Sequence, residues 1–167
     1  MSKNKSSINY NTFYDWVTTG YLSKNAIIRS KKRVVETNEI FTSLNIVLYG
    51  LELQYSSEVF LNYDISFSDN CAGEGAWLIG IALKRMQAGI PHEKAIQNLY
   101  GVEYLYDTAA VAKKRLLCGR EDLCHIVDKN IVCADALRYH FRFDGSPPYD
   151  KETKAAKKQE NIASLFG

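Results

Sequence analysis

Leu44-Asn45-Ile46-Val47-Leu48-Tyr49-Gly50-Leu51-Glu52-Leu53-Gln54-Tyr55-Ser56-Ser57-Glu58-Val59-Phe60-Leu61-Asn62-Tyr63-Asp64-Ile65-Ser66-Phe67 is the stretch on which the fold turns. Leu44, Ile46 and Leu48 alternate, and Leu51, Leu53 and Tyr55 do so again beyond Gly50. Val59, Leu61, Tyr63, Ile65 and Phe67 then interleave with Phe60, Asn62, Asp64 and Ser66. Successive side chains of a strand point to opposite faces, so this spacing predicts an antiparallel pair over 44–67 with one buried face. Gly50 marks a bulge or bend. A helix over Asn38–Gln54 is the competing reading of the first half.

On the carboxyl side the period becomes helical. Ser68-Asp69-Asn70 offers short side-chain oxygens for a helix start. Ala72, Ala76, Ile79, Leu83 and Met86 then share one face of a central helix closed by Gly89. Pro91 suits a first helical position, and Ala95, Ile96, Leu99 and Tyr100 line the next helix up to Gly101. Leu105, Ala109, Ala112 and Leu116 line a third, which ends at Lys113-Lys114-Arg115 and Gly119, and Glu121–Asp128 makes a short fourth. Leu137, Tyr139, Phe141 and Phe143 alternate with Arg138, His140 and Arg142, as in a strand joining the earlier pair. On the amino side, Tyr10, Phe13, Tyr14, Val17 and Tyr21 recur at helical steps. The expected class is α+β: antiparallel strands at about 44–67 and 137–143 packed with a helical middle at about 71–130. Residues 1–7 read as disordered, 8–143 as one domain and 144–167 as a flexible tail.

With 167 residues and 46% hydrophobic content, the chain can bury one core. A net charge of +2 excludes a polycationic nucleic-acid binder, but Lys24, Arg29, Lys31, Lys32 and Arg33 cluster with no acid between Gly20 and Val35. They are candidate nucleic-acid contacts. Lys113, Lys114 and Arg115 join them if the three central helices form a helix-turn-helix-like unit rather than a plain bundle. Arg138 and Arg142 join them if the last strand holds single-stranded nucleic acid on its outer face, which is otherwise a solvated edge. No apolar run is long enough for a membrane span, and the amino terminus lacks a signal peptide's apolar core. An intracellular, cytoplasmic protein is expected, its four cysteines reduced.

Cys118, Cys124, His125 and Cys133 are zinc-ligand types, but their spacing is not that of a finger or ribbon, so no metal and no cofactor is expected. Cys71-Ala72-Gly73-Glu74-Gly75 lacks the Gly-Lys-Ser/Thr of a phosphate loop. Nothing in the spacing pairs Cys71 as a nucleophile with His92, His125 or His140. Glu58, Asp64, Asp69 and Glu74 lack the order of a metal nuclease. No enzyme activity is expected on these grounds.

The tail carries Pro147-Pro148, a lysine-rich spacer and then Gln159, Ile162, Leu165 and Phe166. The last three share one face of a helical turn, too small to fold alone but shaped to fill a preformed apolar pocket. This Gln-x-x-Ile-x-x-Leu-Phe pattern over 159–166 resembles the sliding-clamp docking peptide of replication and repair proteins, with Leu165 where that form carries an aromatic residue. Ser164-Leu165-Phe166 is similar to the end of the bacterial Gln-Leu-Ser-Leu-Phe form. The resemblance implies a non-enzymatic DNA replication or repair accessory, of the kind phages and mobile elements encode. It would bind DNA weakly and reach a sliding clamp or other replisome protein through the tail. Two alternatives stand beside it: a terminal turn packed on its own domain, and a protein-directed inhibitor or adaptor of a host complex that touches no nucleic acid.

Overall fold

The computed structural model of the chain describes residues 7–20, 31–37 and 41–148. Among them, four α-helices come before the first strand: α1 (Tyr10–Asp15), extended by a π-helical turn at Trp16–Gly20, α2 (Lys31–Thr37), α3 (Leu44–Gln54) and α4 (Ser57–Leu61). The stretch 44–67 is therefore not an antiparallel pair, and the competing helical reading is realised over Leu44–Gln54. The misleading alternation has a physical source. Val47 and Leu51 are buried on one face of α3, while Ile46, Tyr49 and Leu53 stand 61%, 64% and 69% exposed on another. Two apolar stripes on one helix together imitate a period of two.

Three short strands follow: β1 (Phe67–Asp69), β2 (Leu99–Glu103) and β3 (Ile131–Cys133). They form a sheet of order β1-β2-β3, with Phe67 paired to Leu99 and Gly101 to Ile131, both pairs parallel. This corrects the antiparallel expectation. Parallel neighbours need a crossover rather than a hairpin, and the helical middle supplies two. Helices α5 (Ala76–Gln87) and α6 (His92–Gln97) link β1 to β2. Helix α7 (Tyr106–Leu117), a 3-10 turn at Glu121–Leu123 and α8 (Cys124–Asn130) link β2 to β3. A strand thus stands between the second and third helices of the supposed helix-turn-helix unit.

Residues 137–143 are not a strand either. The amides of Arg138 and Tyr139 both donate to the carbonyl of Asp135 at 2.9 Å, turning the chain back, and Phe141 and Phe143 sit at φ 50 and 45. The Tyr139 hydroxyl accepts the Phe143 amide at 2.7 Å, and Tyr139 packs with Val102 and Ala134 in a small second core. The regular aromatics of this segment cover the sheet face opposite α5 as a loop.

The main core lies between α3, α5, the sheet and α7. Helix α5 is apolar almost all round and is buried accordingly, from Leu78 to Met86. Its one fully buried cation, Arg85, donates to the carbonyl of Ala95 at 2.9 Å and to that of Ile65, and lies over the Phe67 ring. It thereby ties α6 and the approach to β1 onto one helix. Two glycines set the spacing of α3 and α5. A Cβ on Gly80 would stand 2.5 Å from Val47 Cγ1 and 3.1 Å from Leu51 Cδ1, and one on Gly50 3.1 Å from Trp77 Cη2. Among the described residues no helix is long and apolar enough to cross a membrane.

Gly80→Ala should therefore force these helices apart despite its better helix propensity, costing about 1–3 kcal/mol, as overpacking does. Urea denaturation followed by circular dichroism measures this, and an unchanged or raised midpoint would contradict the packing.

Candidate functional site at the strand ends

Because all three strands run the same way, their carboxyl ends meet along one edge. In open α/β sheets ligands bind outside the carboxyl ends of the strands. β1 ends in Asp69, and the chain then runs through Asn70-Cys71-Ala72-Gly73-Glu74-Gly75 into α5. Gly73 and Gly75 have φ 53 and 80, which side-chain-bearing residues rarely adopt. Close packing adds a second need for glycine. A Cβ on Gly75 would lie 3.2 Å from that of Ala112, and one on Gly101 of β2 would lie 3.0 Å from both Ala72 and Leu78. The turn can thus sit flat on β2, where the Ala72 amide donates to the Val102 carbonyl at 3.0 Å.

Glu103, the last residue of β2, fastens this turn. Its Oε2 accepts the Gly73 amide at 2.9 Å and its Oε1 accepts the Leu105 amide at 2.9 Å. Past β3, Asp135 accepts the Leu137 amide at 3.0 Å through Oδ1, and Arg138 lies 3.6 Å from its other oxygen. Asp69 accepts the Cys71 amide at 3.1 Å through Oδ1, while Oδ2 is buried with no hydrogen-bond partner among the described residues. Burial raises the Asp69 carboxyl above its ordinary value, and the Cys71 amide opposes this only in part. Each strand of the sheet therefore leads into a carboxylate, flanking one glycine turn.

The chain around the turn is rich in acids. From Val34 to Leu83 the chain carries seven acids (Glu36, Glu39, Glu52, Glu58, Asp64, Asp69, Glu74) and no Lys, Arg or His. The cation beneath the turn is Arg115 of α7. It is 6% exposed, donates to the carbonyls of Glu74 at 3.0 Å and Val17 at 3.3 Å, and lies 3.7 Å from the Glu74 carboxylate. Arg115 thus clamps the turn to the amino-terminal segment at Val17.

The other basic candidates are scattered. Lys31 and Lys32 are exposed on α2, Arg33 lies in the same helix, and Lys24 and Arg29 are outside the described residues. Lys113 bonds Asp128 at 3.0 Å, and Lys114 is exposed. Arg138 and Arg142 are exposed on the loop after β3, with Arg142 donating to the Pro147 carbonyl at 3.3 Å. Gln159, Ile162, Leu165 and Phe166 lie outside the described residues.

The zinc candidates do not converge. Among the described residues no group of three or more His, Cys, Asp and Glu is placed to hold a metal ion. Cys118 is buried, its thiol pushed up to about 11 by desolvation. Cys124 donates to Glu121, His125 contacts the Asp122 carbonyl, and Cys133 points at the Tyr104 carbonyl. Comparison with protein-family models, curated protein sequences and solved structures finds no match.

Of the histidines weighed beside Cys71, His92 is 2% exposed against the Phe13 ring, its Nε2 is 2.9 Å from the Leu116 carbonyl and its Nδ1 has no hydrogen-bond partner among the described residues. Contact with a carbonyl makes Nε2 the protonated nitrogen. Burial lowers its pKa below the ordinary 6.5, the Leu116 carbonyl opposing in part. Unfolding at acid pH therefore takes up a proton, so this stabilisation is complete above about pH 6.5 and is lost as pH falls below it. Thermal melts from pH 7.5 to 5 should fall more steeply for the wild type than for His92→Gln, whose amide can still reach Leu116. Parallel curves would contradict the assignment.

Proposed function

We propose that the chain binds an adenosine-containing, phosphate-free cofactor of the S-adenosylmethionine type across the ends of β1, β2 and β3, as the cofactor-holding unit of a methyl-transfer protein. The observation that carries this reading is the Glu103 carboxylate at the end of β2, bonded to the amide of Gly73 in the turn between β1 and α5. In nucleoside-binding α/β units an acid at this position meets the ribose hydroxyls, and the glycine turn lets the backbone approach the ligand closely.

Charge favours this cofactor over a dinucleotide. A pyrophosphate would meet Asp69 and Glu103, while the Glu74 carboxylate is paired with Arg115 beneath the turn. A sulfonium and an ammonium suit those carboxylates, and Asp69 Oδ2, buried with no hydrogen-bond partner among the described residues, can accept from the ammonium. The cofactor's own carboxylate can meet the first turn of α5, where helix amides favour an anion. On this reading Asp135, past β3, meets the base. When bound, S-adenosylmethionine supplies an electrophilic methyl group, and the residues named here bind and orient it. This differs from the non-enzymatic accessory expected above, because a glycine patch gains chemical meaning only once the strand before it and the helix after it are known.

Isothermal titration with S-adenosylmethionine or its unreactive analogue sinefungin, beside NAD and ATP, tests the reading. The first two should bind, NAD and ATP should not, and Glu103→Ala and Asp135→Asn should each weaken binding about tenfold or more, the scale of one or two hydrogen bonds to a charged group. Tighter binding of the phosphate-bearing ligands, or of none, would contradict it.

The tail pattern favours DNA as the polymer served and a sliding clamp as partner. A spacer of roughly fifteen residues spans about 20 Å and raises the effective concentration of a second, weak contact made by the body. Pull-down of a purified sliding clamp should succeed with the intact chain and fail with Phe166→Ala. Equal recovery would remove the clamp from the account.

A further inference from the structure

Helix α1 is six residues long and runs on as the π-helical turn to Gly20. A helix this short holds its shape through what it buries rather than through propensity. Phe13 and Val17, one turn apart on one face, are its buried side chains. Phe13 meets the His92 ring with centroids 4.9 Å apart. The Val17 carbonyl accepts from Arg115 at 3.3 Å, and the same guanidinium donates to the Glu74 carbonyl at 3.0 Å, inside the glycine turn. A line of direct contacts therefore runs from His92 through α1 to the strand ends.

We propose that His92 is an acid-sensitive latch: charging its ring releases α1 and the π-helical turn from the body, and through Arg115 this release loosens the glycine turn. The ring is closed in by α1, by its own helix α6 and by the end of α7. Nε2 donates to the Leu116 carbonyl, so an added proton goes to Nδ1, which is buried with no acceptor among the described residues. A donor buried without an acceptor is costly, and a buried charge more so. The charged groups facing the ring are Arg120 and Asp122, on the turn before α8, and Glu93 beside it on α6. Arg120 and Asp122 are bonded to each other at 2.7 Å and oppose one another at the ring. Glu93 is exposed, where water and salt screen it. Desolvation therefore decides, and it favours the neutral ring while α1 is docked. Release of α1 returns the ring to water and to a pKa of about 6.5. The open fraction then rises by up to about tenfold between pH 7.5 and 5.5.

The effect on a ligand rests on the cofactor reading, whereas the latch does not. Amide hydrogen exchange of the full-length chain, followed by NMR and referred to unprotected rates, tests both. Between pH 7.5 and 5.5 the protection of Phe13 and Trp16 and that of Gly73 and Gly75 should fall together severalfold, with the amides of α5 unchanged. His92→Gln should hold both sets constant. Arg115→Lys, which replaces the guanidinium fork by a single ammonium, should keep the response at Phe13 and lose it at Gly73 and Gly75. No response in the wild type, an equal response in His92→Gln, loss of protection in α5 at the same pH, or a turn indifferent to the release of α1 would each overturn the proposal. At pH 5.5, saturating sinefungin should raise the protection of Phe13 severalfold, because coupling between two sites is reciprocal. Sinefungin that binds without this effect would contradict the coupling. Sinefungin that does not bind would sink the cofactor reading and leave the latch to be decided by the exchange data.

Discussion

Glu103 gives one carboxylate oxygen to the amide of Gly73 and the other to the amide of Leu105, joining residues thirty positions apart. The loop leaving β1 and the loop leaving β2 are thereby fixed to each other at the edge where the strands end. Much of the structure serves that junction. Gly75 and Gly101 have no side chain where one would press on Ala112, Ala72 and Leu78, so the turn lies close to the sheet. Arg115 holds the turn from below and reaches the π-helical segment at Val17, while Arg85 holds the far end of α5 to the approach to β1. Both arginines donate mainly to backbone carbonyls, which lets a buried cation be solvated by the protein itself.

The aromatic loop after β3 completes the sheet on its other face. Phe141 and Phe143 take a left-handed backbone conformation that costs bulky residues of order 1–3 kcal/mol each. Ring contacts among Tyr100, Tyr139, Phe141 and Phe143 offset this cost. Asp135 begins the loop, so the same packing that shields Val102 also sets the last of the three strand-end carboxylates.

The helices were legible in the sequence because their apolar faces are long enough to show a period, as in α5 and in Leu105, Ala109, Ala112 and Leu116 of α7. The strands were not. β1 and β3 have three residues each, too few to express alternation, and Leu99 and Tyr100 of β2 continue the helical spacing of Ala95 and Ile96 in α6. Alternation did appear where no strand exists, on the doubly apolar α3 and in the aromatic loop. Arg115 was read with Lys113 and Lys114 as a cationic end, although its place four and three residues beyond Val111 and Ala112 puts it on the buried side of α7. The strand-end acids left a signal that went unread. Phe67-Ser68-Asp69, Leu99-Tyr100-Gly101-Val102-Glu103 and Ile131-Val132-Cys133-Ala134-Asp135 are each an apolar-led run closing on a carboxylate, and the first leads straight into the glycine turn.

The central claim is that these three strand ends and one turn act together on a single nucleoside ligand. Backbone amide chemical shifts of the labelled full-length chain, followed during titration with S-adenosylmethionine, test it most directly. The account predicts saturable shifts centred on Asn70–Gly75, Glu103 and Asp135, with α3 and α8 unmoved. Shifts confined to other regions, or none at saturating ligand, would contradict it.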